Sequence, residues 1–176
     1  TDKRDYVTRY AYDASGYVST VTEAENTPQL RRTEFVRSAT THLLTEQRIR
    51  NAAGTLKAKT AFAYNARNQL AAVTVTDPVD NTTRSTTTTY CEAADVSAAN
   101  STCPILGLVK QIDGPRVDVA DTTTYQYRST DSPGCTTSPE TCPYRKGDLW
   151  KITNAKAQTI EILAYDGAGR FKSVRD

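Results

Sequence analysis

The stretch Tyr165-Asp166-Gly167-Ala168-Gly169-Arg170-Phe171-Lys172-Ser173-Val174 decides the fold, because its residue types are those of a β-hairpin turn followed by a strand. Tyr165 is expected to end one strand. Asp166 is a residue type whose side chain bonds the backbone of a turn, and Gly169 can adopt the left-handed conformation that closes it. Phe171 and Val174 then begin the returning strand with apolar side chains.

The same pattern occurs at two earlier places in the chain, in gap-free register. The segments are Tyr12-Asp13-Ala14-Ser15-Gly16-Tyr17-Val18-Ser19-Thr20-Val21 and Tyr64-Asn65-Ala66-Arg67-Asn68-Gln69-Leu70-Ala71-Ala72-Val73. Each begins with an aromatic residue, has Asp or Asn second and Gly or Asn fifth, and is apolar at the seventh and tenth positions. Such self-similarity predicts tandem hairpins. We interpret the repeated Asp13, Asn65 and Asp166 as turn residues, not as carboxylates for catalysis or calcium binding.

The second half of the motif recurs after Gly107 and after Gly147, with apolar residues at the same offsets. A strand ending in tyrosine is predicted upstream of each, over residues 86–90 and 122–127. Between that tyrosine and the glycine lies an insertion, and each insertion carries one pair of cysteines. The simplest interpretation is that the hairpin turn of the repeat has been expanded at two places in the chain.

The four cysteines are Cys91, Cys103, Cys135 and Cys142. An even number confined to two loop-like stretches favours two disulfides, with free thiols and metal ligation as alternatives. A structural zinc site usually shows Cys-x-x-Cys or Cys/His pairs, and this sequence has neither. If each expanded turn is tied locally, the pairs are Cys91–Cys103 and Cys135–Cys142, an inference from the architecture and not from spacing. Disulfides form in oxidising compartments, so we expect a secreted or cell-surface protein.

Composition supports an all-β chain. The 29 threonines and ten tyrosines favour extended backbone. The 22 basic and 20 acidic residues form no basic stripe, which argues against nucleic-acid binding. No apolar run approaches the roughly 20 residues that a membrane-spanning helix needs, so no membrane insertion is expected. The chain begins at Thr1, has no methionine and shows no signal peptide. These features indicate a mature processed chain or an internal fragment of a longer protein, and we favour the fragment.

A weaker repeat unit is predicted over residues 31–59. Strands are expected near Thr33–Val36 and Leu44–Ile49, and Asn51-Ala52-Ala53-Gly54 supplies the turn before the next strand. Residues 41–50 could alternatively form a short helix.

The unit Tyr-Asp-x-x-Gly-x-apolar-x-x-Val resembles the YD repeat of the RHS family, which includes bacterial polymorphic toxins and, more distantly, teneurins. Residues 165–170 match the pattern best, whereas Asn65 and Asn68 depart from it in ways that a turn tolerates. The resemblance implies that residues 1–176 are one RHS segment of about five or six hairpins. It implies an open, curved repeat sheet, part of a hollow β-shell that encloses a C-terminal toxin. The expected partners are the remaining repeats and that toxin domain.

We expect no catalytic, cofactor or metal site. His42 is the only histidine, Gly167-Ala168-Gly169 does not open a helix as a phosphate-binding loop does, and Asp77-Pro78 lacks the surroundings of the family's self-cleavage site. Trp150 is a candidate for stacking against a sugar ring, since aromatic faces offer apolar area. The alternative function is therefore a carbohydrate- or receptor-binding surface module built on the same repeats.

Overall fold

The computed structural model describes residues 6–136 and 142–176. Over those ranges the chain forms a sheet of 12 strands, hydrogen-bonded in chain order. The strands are β1 (Arg9–Tyr12), β2 (Val18–Glu23), β3 (Arg31–Arg37), β4 (Leu44–Asn51), β5 (Leu56–Tyr64), β6 (Leu70–Thr76), β7 (Thr83–Tyr90), β8 (Val109–Asp113), β9 (Thr123–Tyr127), β10 (Leu149–Thr153), β11 (Thr159–Tyr165) and β12 (Phe171–Arg175). The predicted all-β fold of tandem antiparallel hairpins is confirmed.

Helical structure is confined, in the ranges described, to the one-turn helix α1 (Ala93–Ser97) and a 3-10 turn at Pro133–Thr136. Residues 41–50, for which a short helix was the alternative, contain the start of β4 and belong to an antiparallel pair with β3. The described residues include no helix with the length and apolar character needed to cross a membrane.

The chain divides into two compact units, Thr1–Thr86 and Thr87–Asp176, with the boundary inside β7. In the N-terminal unit, cross-strand pairing places Thr33 opposite Ile49, and Ile49 opposite Ala58, so these three side chains share one face. The other face carries charges. There Arg50 Nε lies 3.1 Å from Glu34 Oε2, and Lys59 Nζ lies 2.9 Å from Glu46 Oε2.

Few side chains of the N-terminal unit are fully enclosed. Among its described residues, Thr22, Ala24 and Thr33 are buried, while the apolar Phe35 and Ile49 are only half-buried. Ion pairs at the protein surface contribute little, about 0–1 kcal/mol each, and these two are half-buried there. Backbone pairing between strands and partial burial of side chains therefore hold this unit together.

The C-terminal unit has a small enclosed core, and its cysteines form part of it. Cys91 is fully buried, Cys103 and Tyr127 are nearly so, and partly buried Leu108, Tyr125 and Leu149 pack against them. The insertion after β7 thus supplies a layer over β9 and β10 that the strands alone do not provide.

Candidate functional site

One turn geometry recurs along the chain, and it is clearest between β11 and β12. We number its residues one to five, from Asp166 to Arg170. The backbone N–H of Asp166 donates to the carbonyl of Arg170 (2.9 Å), and that of Gly169 donates to the carbonyl of Asp166 (3.0 Å). Asp166 Oδ1 accepts from the backbone N–H groups of Ala168 and Arg170. The hydrogen bond from the Arg170 backbone is the main cause that lowers the pKa of Asp166 below its usual range.

The same bonds form at the other two units that the sequence identified. Asp13 Oδ1 accepts from the N–H groups of residues 15 and 17, and Asn65 Oδ1 from those of residues 67 and 69. The fourth residue has a positive φ each time, +83° at Gly16, +61° at Asn68 and +77° at Gly169. The side-chain oxygen of the first residue is therefore occupied by turn backbone in all three units, as in Asx-turns generally.

Two further turns have this geometry. Asn51 begins one, with Gly54 at the fourth position, as the sequence suggested. Asn154 begins the other, between β10 and β11, and the sequence pattern did not predict it. Its fourth residue is Ala157, with φ +61°, where glycine or asparagine is the usual signal. The Asn154 side chain was the remaining signal for this turn.

The two expanded turns keep the backbone bonds of the simple ones. The N–H of Cys91 donates to the carbonyl of Leu108, and the N–H of Gly107 to the carbonyl of Cys91. Likewise, the N–H of Arg128 donates to the carbonyl of Asp148, and the N–H of Gly147 to the carbonyl of Arg128. The second and third turn residues are thus replaced by longer segments. These are residues 92–106, which we call the first insertion, and residues 129–146, the second insertion. The first position is Cys91 in one expanded turn and Arg128 in the other, where the simple turns have Asp or Asn.

Both insertions are closed by disulfides in the structure. Cys91 and Cys103 are bonded, with Cα atoms 5.5 Å apart, and so are Cys135 and Cys142, with Cα atoms 4.4 Å apart. These are the pairs that the expanded-turn interpretation favoured. Residues 137–141 of the second insertion lie outside the described residues.

Each insertion also supplies a carbonyl to a later strand. The backbone N–H of Tyr127, at the end of β9, donates to the carbonyl of Thr102 in the first insertion, at 2.7 Å. The N–H of Tyr165, at the end of β11, donates to the carbonyl of Pro143 in the second insertion, also at 2.7 Å. Each acceptor residue is next in sequence to a disulfide cysteine. The disulfide therefore fixes the position of the carbonyl that accepts the backbone N–H at the end of the strand.

The tyrosines that end the strands make a second recurring contact, which we term the Tyr–carbonyl bond. The hydroxyl of Tyr64 in β5 donates to the carbonyl of Leu44, the first residue of β4, at 2.8 Å. Tyr127 in β9 donates likewise to Val109 of β8 at 2.6 Å, and Tyr165 in β11 to Leu149 of β10 at 2.7 Å. Burial raises the pKa of Tyr127 and of Tyr165. Each bond joins neighbouring strands at the end where no loop connects them.

Trp150 is engaged by its neighbours. The Arg128 guanidinium lies between two rings, 4.1 Å from the Tyr144 centroid and 5.2 Å from that of Trp150. The Lys151 ammonium lies 4.8 Å from the Trp150 ring, whose N–H donates to Glu161 at 2.6 Å. We call Tyr144, Arg128 and Trp150 the Arg128 stack. It fixes the second insertion to β10.

Arg128 has one buried nitrogen, Nε, without a hydrogen-bond partner, while its Nη2 donates to the carbonyl of Ile162 at 2.8 Å. Stacking between two aromatic faces accounts for this, because the electron-rich ring faces attract the cation. The positive charge of Arg128 therefore takes part in contacts within the fold.

A shallow cavity of about 310 Å³ adjoins the Arg128 stack. Besides the three stack residues, its lining is mostly hydroxyl and amide side chains: Asn100, Ser101, Thr102, Tyr127, Ser129 and Thr130.

His42 lies elsewhere, in the β3–β4 turn, with its ring stacked 5.5 Å from Tyr17. Within the described ranges no three His, Cys, Asp or Glu side chains are grouped to hold a metal.

The chain matches no protein-family model and no curated protein. Among solved structures it is similar to a porin-like protein from Bacteroides uniformis, with 20% identity and a TM-score of 0.46 over 76% of this chain and 61% of that one. It is also similar to the Tc holotoxin pore of Photorhabdus luminescens, with 12% identity and a TM-score of 0.27 over 96% of this chain and 11% of that one. The chain spans less than two thirds of either protein. TM-scores this low carry no argument about function.

Proposed function

We propose that the chain is a non-catalytic wall segment of a secreted RHS protein, in which YD-repeat hairpins joined side by side enclose a C-terminal toxin. The observation that carries the proposal is the recurring turn. The side-chain oxygens of Asp13, Asn65 and Asp166 accept backbone N–H groups, which accounts for the repeated Tyr-Asp motif without any reaction.

The pairing between hairpins supports a wall. Tyr–carbonyl bonds join a strand to its predecessor at three places, and each lies at the end without a connecting loop. Each of these strand pairs is thereby held at both ends, by the connecting loop at one end and by a tyrosine hydroxyl at the other. Repeated hairpins of this kind form a continuous strip whose stability comes largely from neighbour-to-neighbour contacts.

The half-buried apolar face of the N-terminal unit suits contact with an enclosed polypeptide. Phe35, Ile49 and Phe62 lie on the same face by register and are each only partly covered. Side chains that the sheet covers only in part leave apolar area that a further polypeptide could cover. The two disulfides are consistent with the exported location that this role requires.

Limited proteolysis of the protein encoded by the full reading frame tests the wall role. The segment that follows the repeats is expected to resist trypsin while the repeats are intact, and to be digested at the rate of a free polypeptide when expressed alone. Mass spectrometry of the fragments gives both rates. Equal digestion rates in the two contexts would refute enclosure, and turnover of any substrate by the purified chain would refute the non-catalytic role.

A second candidate function is carbohydrate binding at the cavity beside the Arg128 stack. The combination of two aromatic rings with hydroxyl and amide side chains favours it, since sugars present apolar faces and hydroxyl groups. The Trp150 ring is already covered in part by Arg128 and Lys151, which favours the wall role over this one.

Glycan-array binding followed by calorimetric titration tests this second candidate. Binding that is lost in Ser129→Ala and Thr130→Ala, as well as in Trp150→Ala, would support it. Ser129 and Thr130 line the cavity and are exposed, so their substitution should leave the fold intact. Tyr10→Ala on β1 is the control for loss of an exposed aromatic ring outside the cavity. Absence of glycan binding by the unmodified chain would eliminate this candidate.

A further inference from the structure

The loop between β8 and β9, residues 114–122, is fastened at its base by Asp121. Oδ2 of Asp121 accepts the backbone N–H of Arg116 at 3.0 Å. The same oxygen lies 2.3 Å from where a Cβ on Gly114 would be, so the carboxylate occupies the space beside that glycine. Residues 115–120, which lie between the two ends of this base, are all exposed. We call them the loop tip.

The loop tip is open to a partner that binds extended backbone. Its residues belong to neither a helix nor a strand, and Val117 at its centre is 99% exposed. Exposed loop tips are the preferred sites of proteolytic nicking, since a protease must draw several residues of its substrate into a cleft. The loop tip therefore meets the backbone requirement for cleavage.

Arg116 gives the loop tip the side chain that proteases of trypsin specificity require. These enzymes bind the basic residue before the scissile bond against a carboxylate in their pocket. The Arg116 guanidinium is bound by Asp118, with Nη2 2.8 Å from Oδ2, but the two side chains are 58% and 66% exposed. Such solvent-exposed ion pairs are weak, so the carboxylate of a protease can replace Asp118.

A basic side chain alone does not make a cleavage site, as Arg170 shows. Its side chain is 80% exposed, more than that of Arg116. The Arg170 carbonyl, however, accepts the backbone N–H of Asp166 at 2.9 Å within the tight turn before β12. The Arg116 carbonyl accepts no backbone hydrogen bond from the described residues. Because cleavage follows the population of open backbone, Arg116 is the more favourable site.

We propose that the Arg116–Val117 bond is a processing site for a serine protease of trypsin specificity. Hydrolysis adds one water across the peptide bond, which leaves a carboxylate on Arg116 and an ammonium on Val117. The Cys91–Cys103 disulfide lies before the cut and the Cys135–Cys142 disulfide after it. Cleavage therefore yields two polypeptides that no disulfide joins to each other.

The two polypeptides are expected to stay associated, because Tyr127 of the second contacts the first at three places. Its hydroxyl donates to the carbonyl of Val109, and its backbone N–H donates to the carbonyl of Thr102. Its ring packs in the enclosed core with Cys91 and Cys103. The cut thus removes the covalent connection and leaves the strip assembled, while refolding becomes dependent on protein concentration.

Limited digestion of the unmodified chain with trypsin tests the proposal, which does not depend on the wall role. Within the described residues, the cut after Arg116 is expected first, at least about 10-fold faster than any cut inside a strand. Mass spectrometry without reductant should find one polypeptide that ends at Arg116 and another that begins at Val117. Size-exclusion chromatography in native buffer should show that the two elute together, and denaturant alone should separate them.

Variants of exposed loop residues make the test specific. Arg116→Gln should abolish this cut, and Arg170→Gln, which removes a more exposed arginine, is the matched control that should leave its rate unchanged. Asp118→Asn should speed the cut, because it releases the guanidinium.

A first cut after Arg145, Lys146 or Arg170 would overturn the proposal. So would inhibition of trypsin without cleavage, which would indicate an inhibitor loop. Separation of the two polypeptides in native buffer would contradict the retained strip.

Discussion

In the repeat turns of the described residues, the fourth residue has a left-handed backbone and is glycine or asparagine in every turn but one. The exception is Ala157. Its φ of +61° costs a residue with a Cβ roughly 1–2 kcal/mol. Glycine avoids that cost, but it loses about 0.5–1 kcal/mol more backbone entropy on folding. The balance predicts that Ala157→Gly stabilises the C-terminal unit by about 0.5–1 kcal/mol.

Urea unfolding followed by tryptophan fluorescence measures this change directly. Trp150 is the only tryptophan and lies in β10, the strand that leads into the turn. Ala157→Gly should raise the midpoint by a few tenths molar without changing the slope. Ala155→Gly, in the same exposed turn but without a positive φ, is the control, and it should lower the midpoint.

The reciprocal substitution completes the test. Gly169 has φ +77° and open space where a Cβ would lie, so Gly169→Ala should cost about 1 kcal/mol for conformational reasons alone. If Ala157→Gly destabilised the chain as much as Ala155→Gly does, the assignment of residue 157 to the left-handed turn position would be wrong.

Three other variants test the contacts between elements. Tyr165→Phe should cost about 0.5–1.5 kcal/mol in urea unfolding. Because burial raises the pKa of Tyr165, its contribution should be retained below pH 10 and lost as the pH rises above that value, a loss that Tyr165→Phe should reduce. Arg128→Lys should shift the Trp150 emission and lower stability, since an ammonium does not stack as a planar guanidinium does; an unchanged spectrum would contradict the Arg128 stack. Replacing Cys91 and Cys103 by alanine should cost about 3 kcal/mol, more than removing the disulfide of the second insertion, and equal costs would argue against a core role for the first.

The hairpin architecture could be predicted because its signals are local. An Asp or Asn side chain that bonds the next few N–H groups, and a glycine that accepts positive φ, act within five residues and leave a readable pattern. The expanded turns could also be recognised, since Gly107 and Gly147 keep the fourth position after long insertions. The turn at Asn154 was missed because tertiary structure imposes on Ala157 a conformation that its residue type disfavours.

The contacts between distant segments were not predictable. The sequence indicated that tyrosines end strands, but not that the hydroxyls of Tyr64, Tyr127 and Tyr165 bond the preceding strand. It suggested Trp150 as a sugar-stacking residue, whereas the structure places that ring against Arg128 and Lys151. Which groups meet across strands depends on register and on how an insertion folds back, and neither is encoded in a short stretch.

The sequence by itself determined the repeat, the turn positions and the two loops that carry cysteine pairs, because backbone conformation at a turn follows from the residues within it. Only the tertiary structure decided what joins the hairpins. The carbonyls of Thr102 and Pro143 reach strands that end many residues later, at Tyr127 and Tyr165. Such bonds depend on the complete registration of the strands between them, so they appear only once the sheet has formed.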